Sequence, residues 1–119
     1  MFRLAIAALA AAALIVAPAY ASSAKTITLK GETGPGYKIE VEKGGKDLKT
    51  IKAGTYKIKV EDKSSSHNFH LIGNGLSKKT SVSFVGDQTW TIKLKPGRVT
   101  YQCDIHASLG MKGTFKVTK

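Results

Sequence analysis

The chain has 119 residues, one cysteine, three histidines and a formal net charge of +11. That length fits one small domain and excludes a string of domains. The lone cysteine excludes an internal disulfide framework. The lysines are spread without interleaved aromatics, so they form no nucleic-acid-binding arm.

Residues 1–21 read as a secretory leader. Arg3 is a positive n-region, Leu4 to Val16 is an unbroken apolar run, and Ala19-Tyr20-Ala21 is a small-x-small cleavage site. The run is shorter than the roughly 20 residues that span a bilayer. Cleavage after Ala21 is expected to leave one exported domain over 22–119, periplasmic or secreted. Losing Arg3 lowers the net charge from +11 to +10. In an oxidising compartment a free exposed thiol is a liability. Cys103 is therefore expected to be buried, paired between chains or held by a metal.

Period-two alternation dominates the rest. A short strand is expected over Thr26 to Lys30. Tyr37, Ile39 and Val41 alternate with Lys38, Glu40 and Glu42, and Gly44-Gly45 then marks a turn. After Ala53-Gly54, Tyr56, Ile58 and Val60 alternate with Lys57, Lys59 and Glu61. Thr80 to Val85 is a further short candidate. Trp90, Ile92 and Leu94 alternate with Thr91, Lys93 and Lys95. Lys95-Pro96-Gly97-Arg98 places Pro and Gly as a type II turn wants them, and predicts two antiparallel strands joined there. Val99, Tyr101 and Cys103 share one face of the next strand, and Phe115 and Val117 share one face of the last. Seven to eight short strands, each with one apolar and one solvated face, predict an all-β fold, an antiparallel β-sandwich.

Phase then separates candidate site residues. Cys103 continues the inward face of Val99 and Tyr101. His106 and Met111 fall in the loop between that strand and the last. Upstream, His67 shares a face with the apolar Phe69 and Leu71, whereas His70 alternates with them. His67 is the expected inward residue and His70 the alternative.

One thiolate, two imidazoles and one thioether are the ligand set of a blue-copper electron-transfer site. Structural zinc is closed by four Cys, His or carboxylate ligands and has no use for a thioether. A catalytic thiolate needs an accessible pocket, a base and an orienting third group, so no enzyme is expected. Three histidines are too few for a multicopper oxidase.

Tyr101-Gln102-Cys103-Asp104-Ile105-His106-Ala107-Ser108-Leu109-Gly110-Met111 carries Cys, His and Met in an order and spacing that resemble the cupredoxins, plastocyanin-like proteins above all. The family's first ligand, a His followed by Asn, falls on His67-Asn68. The resemblance implies a Greek-key sandwich, one type 1 copper per chain held by His67, Cys103, His106 and Met111, and one-electron transport. It also implies that Asn68 ties the two ligand loops together by hydrogen bonds. The strongly basic charge departs from the acidic or mixed surfaces common in plastocyanins, so no photosynthetic partner carries over. The loop after the first His, Leu71 to Leu76, differs as well.

The ring edge of His106 is expected near the surface, with Leu76, Ala107 and Leu109 forming a small apolar docking patch. The positive charge predicts acidic redox proteins or an anionic membrane surface as partners, and a monomer is expected. A copper carrier or buffer that delivers the ion would use the same ligands.

Overall fold

The structure, a computed structural model, describes residues 12–15 and 26–119. The expected leader and its cleavage site lie outside the described residues, apart from 12–15, which carry no regular secondary structure. Ten strands follow in chain order: β1 Thr28–Thr33, β2 Ile39–Lys43, β3 Lys46–Asp47, β4 Thr50–Lys52, β5 Gly54–Asp62, β6 His70–Gly73, β7 Leu76–Lys79, β8 Gly86–Leu94, β9 Gly97–Gln102 and β10 Lys112–Thr118. One turn of 3-10 helix, Ala107–Leu109, precedes β10. The first sheet runs β3-β2-β1-β5-β8 and the second β4-β10-β9-β6-β7.

The predicted alternation holds where it is strongest. In β5, Tyr56, Ile58 and Val60 are buried while Lys57 and Lys59 are exposed. In β9 and β10, Val99, Tyr101, Phe115 and Val117 point inward. These side chains meet Leu29, Phe69, Leu71, Ile92 and Leu94 between the sheets. Burying each large apolar side chain contributes about 1.5–3 kcal/mol. Phe69 needs a gap in β1 to fit, because a Cβ at Gly31 would lie 2.8 Å from its ring. The Phe69 and Tyr101 rings stack with centroids 6.4 Å apart.

The sandwich is as expected, but both sheets are mixed. β1 runs parallel to β5, pairing Thr28 with Lys57 through Thr33 with Asp62, and β4 runs parallel to β10. Alternation reports which face is buried. It carries no information on a partner strand's direction, because parallel and antiparallel neighbours bury the same residues.

Two local expectations are corrected. The Lys95–Arg98 turn joins strands of different sheets, since β8 pairs with β5 and β9 pairs with β10 and β6. Leu94 and Val99 must both face the core, so the chain crosses the sandwich edge here. Gly97, at φ +134°, takes a conformation that side-chain-bearing residues rarely adopt. Thr80 to Val85 is a turn and not a strand. The Thr80 hydroxyl donates to Asp62 Oδ2 at 3.3 Å and accepts from Phe69 N–H at 2.9 Å, while its own N–H donates to Phe69 C=O at 3.0 Å, so side-chain and backbone bonds together anchor the turn.

Candidate metal centre

Two connections meet at one end of the sandwich. The first links β5 to β6. Buried Asp62 accepts from Ser64 N–H at 3.1 Å, and the Ser64 hydroxyl accepts from Ser66 N–H at 3.1 Å. This turn delivers His67 inward at 5% exposure. Burial pushes the Asp62 carboxyl above its ordinary range, against the hydrogen bonds that it accepts.

The second connection links β9 to β10. Cys103 directly follows β9 with no exposed surface, and its N–H donates to Met111 C=O at 3.1 Å. His106 N–H donates to Cys103 C=O at 3.2 Å, and Met111 N–H donates to His106 C=O at 3.2 Å. Gly110, at φ +92°, lets the chain reverse within this short loop.

Three donor atoms converge where the connections meet. His67 Nδ1 lies 3.0 Å from His106 Nδ1, and Cys103 Sγ lies 3.7 Å and 3.6 Å from the two nitrogens. The centre of such a triangle is about 2 Å from each corner, close to metal–imidazole bond lengths and slightly inside metal–thiolate ones. His67 and Cys103 are buried and His106 is half-buried, so the triangle is closed on the core side and reaches the surface at one imidazole. Met111 is 1% exposed and stands apart from the main apolar cluster, its backbone bonded to both Cys103 and His106. One thiol and two imidazoles, with a buried methionine in the same loop, make a soft, nitrogen-and-sulfur donor set that fits copper.

The surroundings fix this geometry. Asn68 Nδ2–H donates to Asp104 Oδ2 at 3.0 Å and to Thr80 C=O at 3.3 Å, while Asp104 N–H donates to Asn68 Oδ1 at 2.8 Å. The loop-tying contacts expected of Asn68 are present. Asp104 Oδ1 also lies 2.8 Å from His70 Nδ1 and accepts from Gln102 Nε2–H at 2.9 Å. Burial raises the Asp104 carboxyl, but the bonds from Gln102, His70 and Asn68 outweigh it and hold the group at about 2.

His70 stands outside the cluster, with its second ring nitrogen 2.9 Å from Ser77 Oγ. Leu76 does not belong to an exposed patch. At 9% exposure it joins the core, because the two-residue Asn74-Gly75 turn pairs it with Gly73 and points it inward. Ala107 is half-buried and Leu109 is 71% exposed.

Sequence reasoning missed the nearest aromatic neighbour. Tyr37 lies outside β2, is exposed, and stands edge-on to the His106 ring at 4.9 Å and tilted to the His67 ring at 5.7 Å. The preceding Gly34-Pro35-Gly36 was the available signal, since Gly and Pro together mark a loop. Exposed Ile105 sits in the same Cys103–Met111 loop.

The copper protein rusticyanin matches the structure over 81% of this chain and 80% of its own, with a TM-score of 0.62 and 24% identity. The chain has the cupredoxin fold. Reduced rusticyanin matches with a TM-score of 0.59 at 23% identity, covering 81% of each chain. Rusticyanin from Thiobacillus ferrooxidans matches with a TM-score of 0.57 at 23% identity, over 81% of this chain and 79% of that one. No protein-family model matches the sequence, and no curated protein matches it either. Within the cupredoxin fold the donor triangle occupies the loops at one end, where β6, β9 and β10 bring them together. No helix among the described residues is long and apolar enough to cross a membrane.

Proposed function

We propose that this chain is an exported blue copper protein that carries single electrons. His67, Cys103 and His106 would hold one type 1 copper, with Met111 as a further, weak ligand. The convergence of two imidazole nitrogens and one thiol sulfur, 3.0–3.7 Å apart in a buried recess, carries this reading. Bound copper would supply a Cu(II)/Cu(I) couple, and a donor set of two imidazoles, one thiolate and a weak thioether suits both states.

The protein's own part is to keep the donors in place and dry. His67 and Cys103 are walled off by the core, and the Asn68–Asp104 bonds lock one donor loop to the other. A held geometry limits the rearrangement that accompanies each electron. Hydrogen bonding around ligands and a water-poor shell tune the potential. His106 is the exit to the surface, and Tyr37, Ile105, Ala107 and Leu109 form the apolar rim around it. Small apolar patches suit transient docking. An acidic redox protein is the proposed partner, drawn in by the net positive charge.

A copper-delivery protein would use the same donors but would have to release the ion. Repeated electrochemical cycling of the copper-loaded protein in the presence of a Cu(I) chelator separates the two. Reversible waves with the metal retained are expected. Loss of copper to the chelator on reduction would favour delivery.

A further inference from the structure

The two sheets divide the charge unequally. Seven of the eight acidic residues lie on β1, β2, β3, β5 and β8, all in the first sheet. Five of the seven pair with lysines, as Glu32 does with Lys63 at 2.8 Å and Glu61 with Lys30 at 3.3 Å. The strands of the second sheet carry no Asp or Glu. Apart from Lys78, which shares the phase of Leu71 and Leu76 at the exposed sheet edge, its cations stand on the outer face: Lys52 on β4, Lys79 on β7, Arg98 on β9, and Lys112 and Lys116 on β10. None of these five is in an ion pair among the described residues.

Arg98 and Lys116 are direct cross-strand partners. Like charges placed opposite each other destabilise a sheet, so the pair has a cost that a bound anion would remove. Beside them is a recess of about 440 Å³ lined by Lys49, Gly97, Arg98, Thr114, Phe115 and Lys116.

We infer that the outer face of the second sheet docks on an anionic lipid surface, with the Arg98–Lys116 recess receiving a headgroup phosphate. A specific protein interface has a desolvated core enriched in aromatic residues, and this face has none. Threonine, glutamine and half-buried Ile72 fill the space between its cations. Cations spread over four of five strands instead match a planar array of negative charge. Four to eight clustered Lys and Arg are enough to attract a protein to anionic lipid. The apolar rim around His106 lies on the loops at the end of the sandwich, so broadside docking leaves it free for a redox partner. The carrier would then search for partners in two dimensions along the membrane.

Vesicle co-sedimentation tests this without reference to copper. The full chain is mixed with phosphatidylglycerol-containing vesicles or with pure phosphatidylcholine vesicles, the latter reporting any charge-independent binding through residues 4–16. Binding to the anionic vesicles only, weakened by salt, is expected. The double substitution Arg98→Glu with Lys116→Glu should weaken it by about tenfold or more. Lys57→Glu with Lys93→Glu, an equal charge change on the first sheet, should stay within about twofold of wild type. Arg98→Gln with Lys116→Gln replaces the first pair if that variant fails to fold, and should also weaken binding. Equal losses in the two sheets would reduce the effect to net charge and overturn the proposal. Absence of binding to anionic vesicles would overturn it, as would capture of a soluble acidic protein by Arg98 and Lys116 in their place.

Discussion

Asn68 and Asp104 exchange two hydrogen bonds, side chain to carboxylate at 3.0 Å and backbone N–H to side-chain carbonyl at 2.8 Å. They join the loop that carries His67 to the loop that carries Cys103 and His106. No covalent link connects these loops, so this pair and the core beneath it set the donor spacing. Asn68→Leu keeps the bulk and removes both bonds. It also leaves the Asp104 N–H without that acceptor, a loss that costs about 1–3 kcal/mol. A lower unfolding midpoint and faster copper loss to a chelator are expected. Unchanged values for both would mean that the core alone holds the loops.

The two neighbouring histidines make a second prediction. His67→Ala should abolish the copper-dependent visible band, since it removes one corner of the donor triangle. His70→Ala should keep the band, because both His70 nitrogens are engaged by Asp104 and Ser77. Absorption spectra of the two variants after copper addition provide the check.

For Met111, substitution by Leu conserves volume, and such swaps cost less than about 1.5 kcal/mol of stability. A coloured site with a raised reduction potential is expected, because an aliphatic side chain cannot donate to the oxidised ion. Voltammetry reads the shift. A lowered potential, or failure to bind copper, would count against Met111 as a weak ligand.

Acid stability should depend on Glu32. Its carboxyl is held below the ordinary range chiefly by Lys63, against the cost of burial and with help from Lys30 and Lys38. A depressed folded-state pKa contributes stability above the unfolded value, and that stability is lost as pH falls through the folded one. Asp104 has the same sign, so only the difference between wild type and Glu32→Gln isolates Glu32. Melting of the metal-free protein from pH 7 downward should show a variant that is less stable at neutral pH. The two curves should begin to converge below about pH 4, the ordinary carboxylate range, and meet only below the depressed folded-state value. Parallel curves at all pH values would contradict the role of charge at Glu32.

Much of the site was legible because strand phase and ligand chemistry agreed. Phe69 and Leu71 are apolar, so their phase placed His67 inward, and the structure buries it although residues 67–69 carry no strand pairing. Cys103 followed from Val99 and Tyr101 in the same way. Tyr37 was misplaced because an aromatic two residues before Ile39 mimics strand alternation, while the Gly34-Pro35-Gly36 loop swings it over the histidines. Leu76 was misplaced because a two-residue turn is too short to hold a loop patch. The parallel pairing of β1 with β5 arises from contacts distant in sequence, and no local periodicity reports strand direction. The division of charge between the sheets depends on that pairing and was hidden for the same reason.

The central claim is that Cys103, held 3.6–3.7 Å from two imidazole nitrogens, is the thiolate of a blue copper site. The most direct measurement is the visible spectrum of the purified protein titrated with Cu(II), beside Cys103→Ser. An intense thiolate-to-copper charge-transfer band that saturates at one copper per chain is expected in the wild type and should vanish in the variant. A colourless wild-type complex, or a band that survives in Cys103→Ser, would contradict the account.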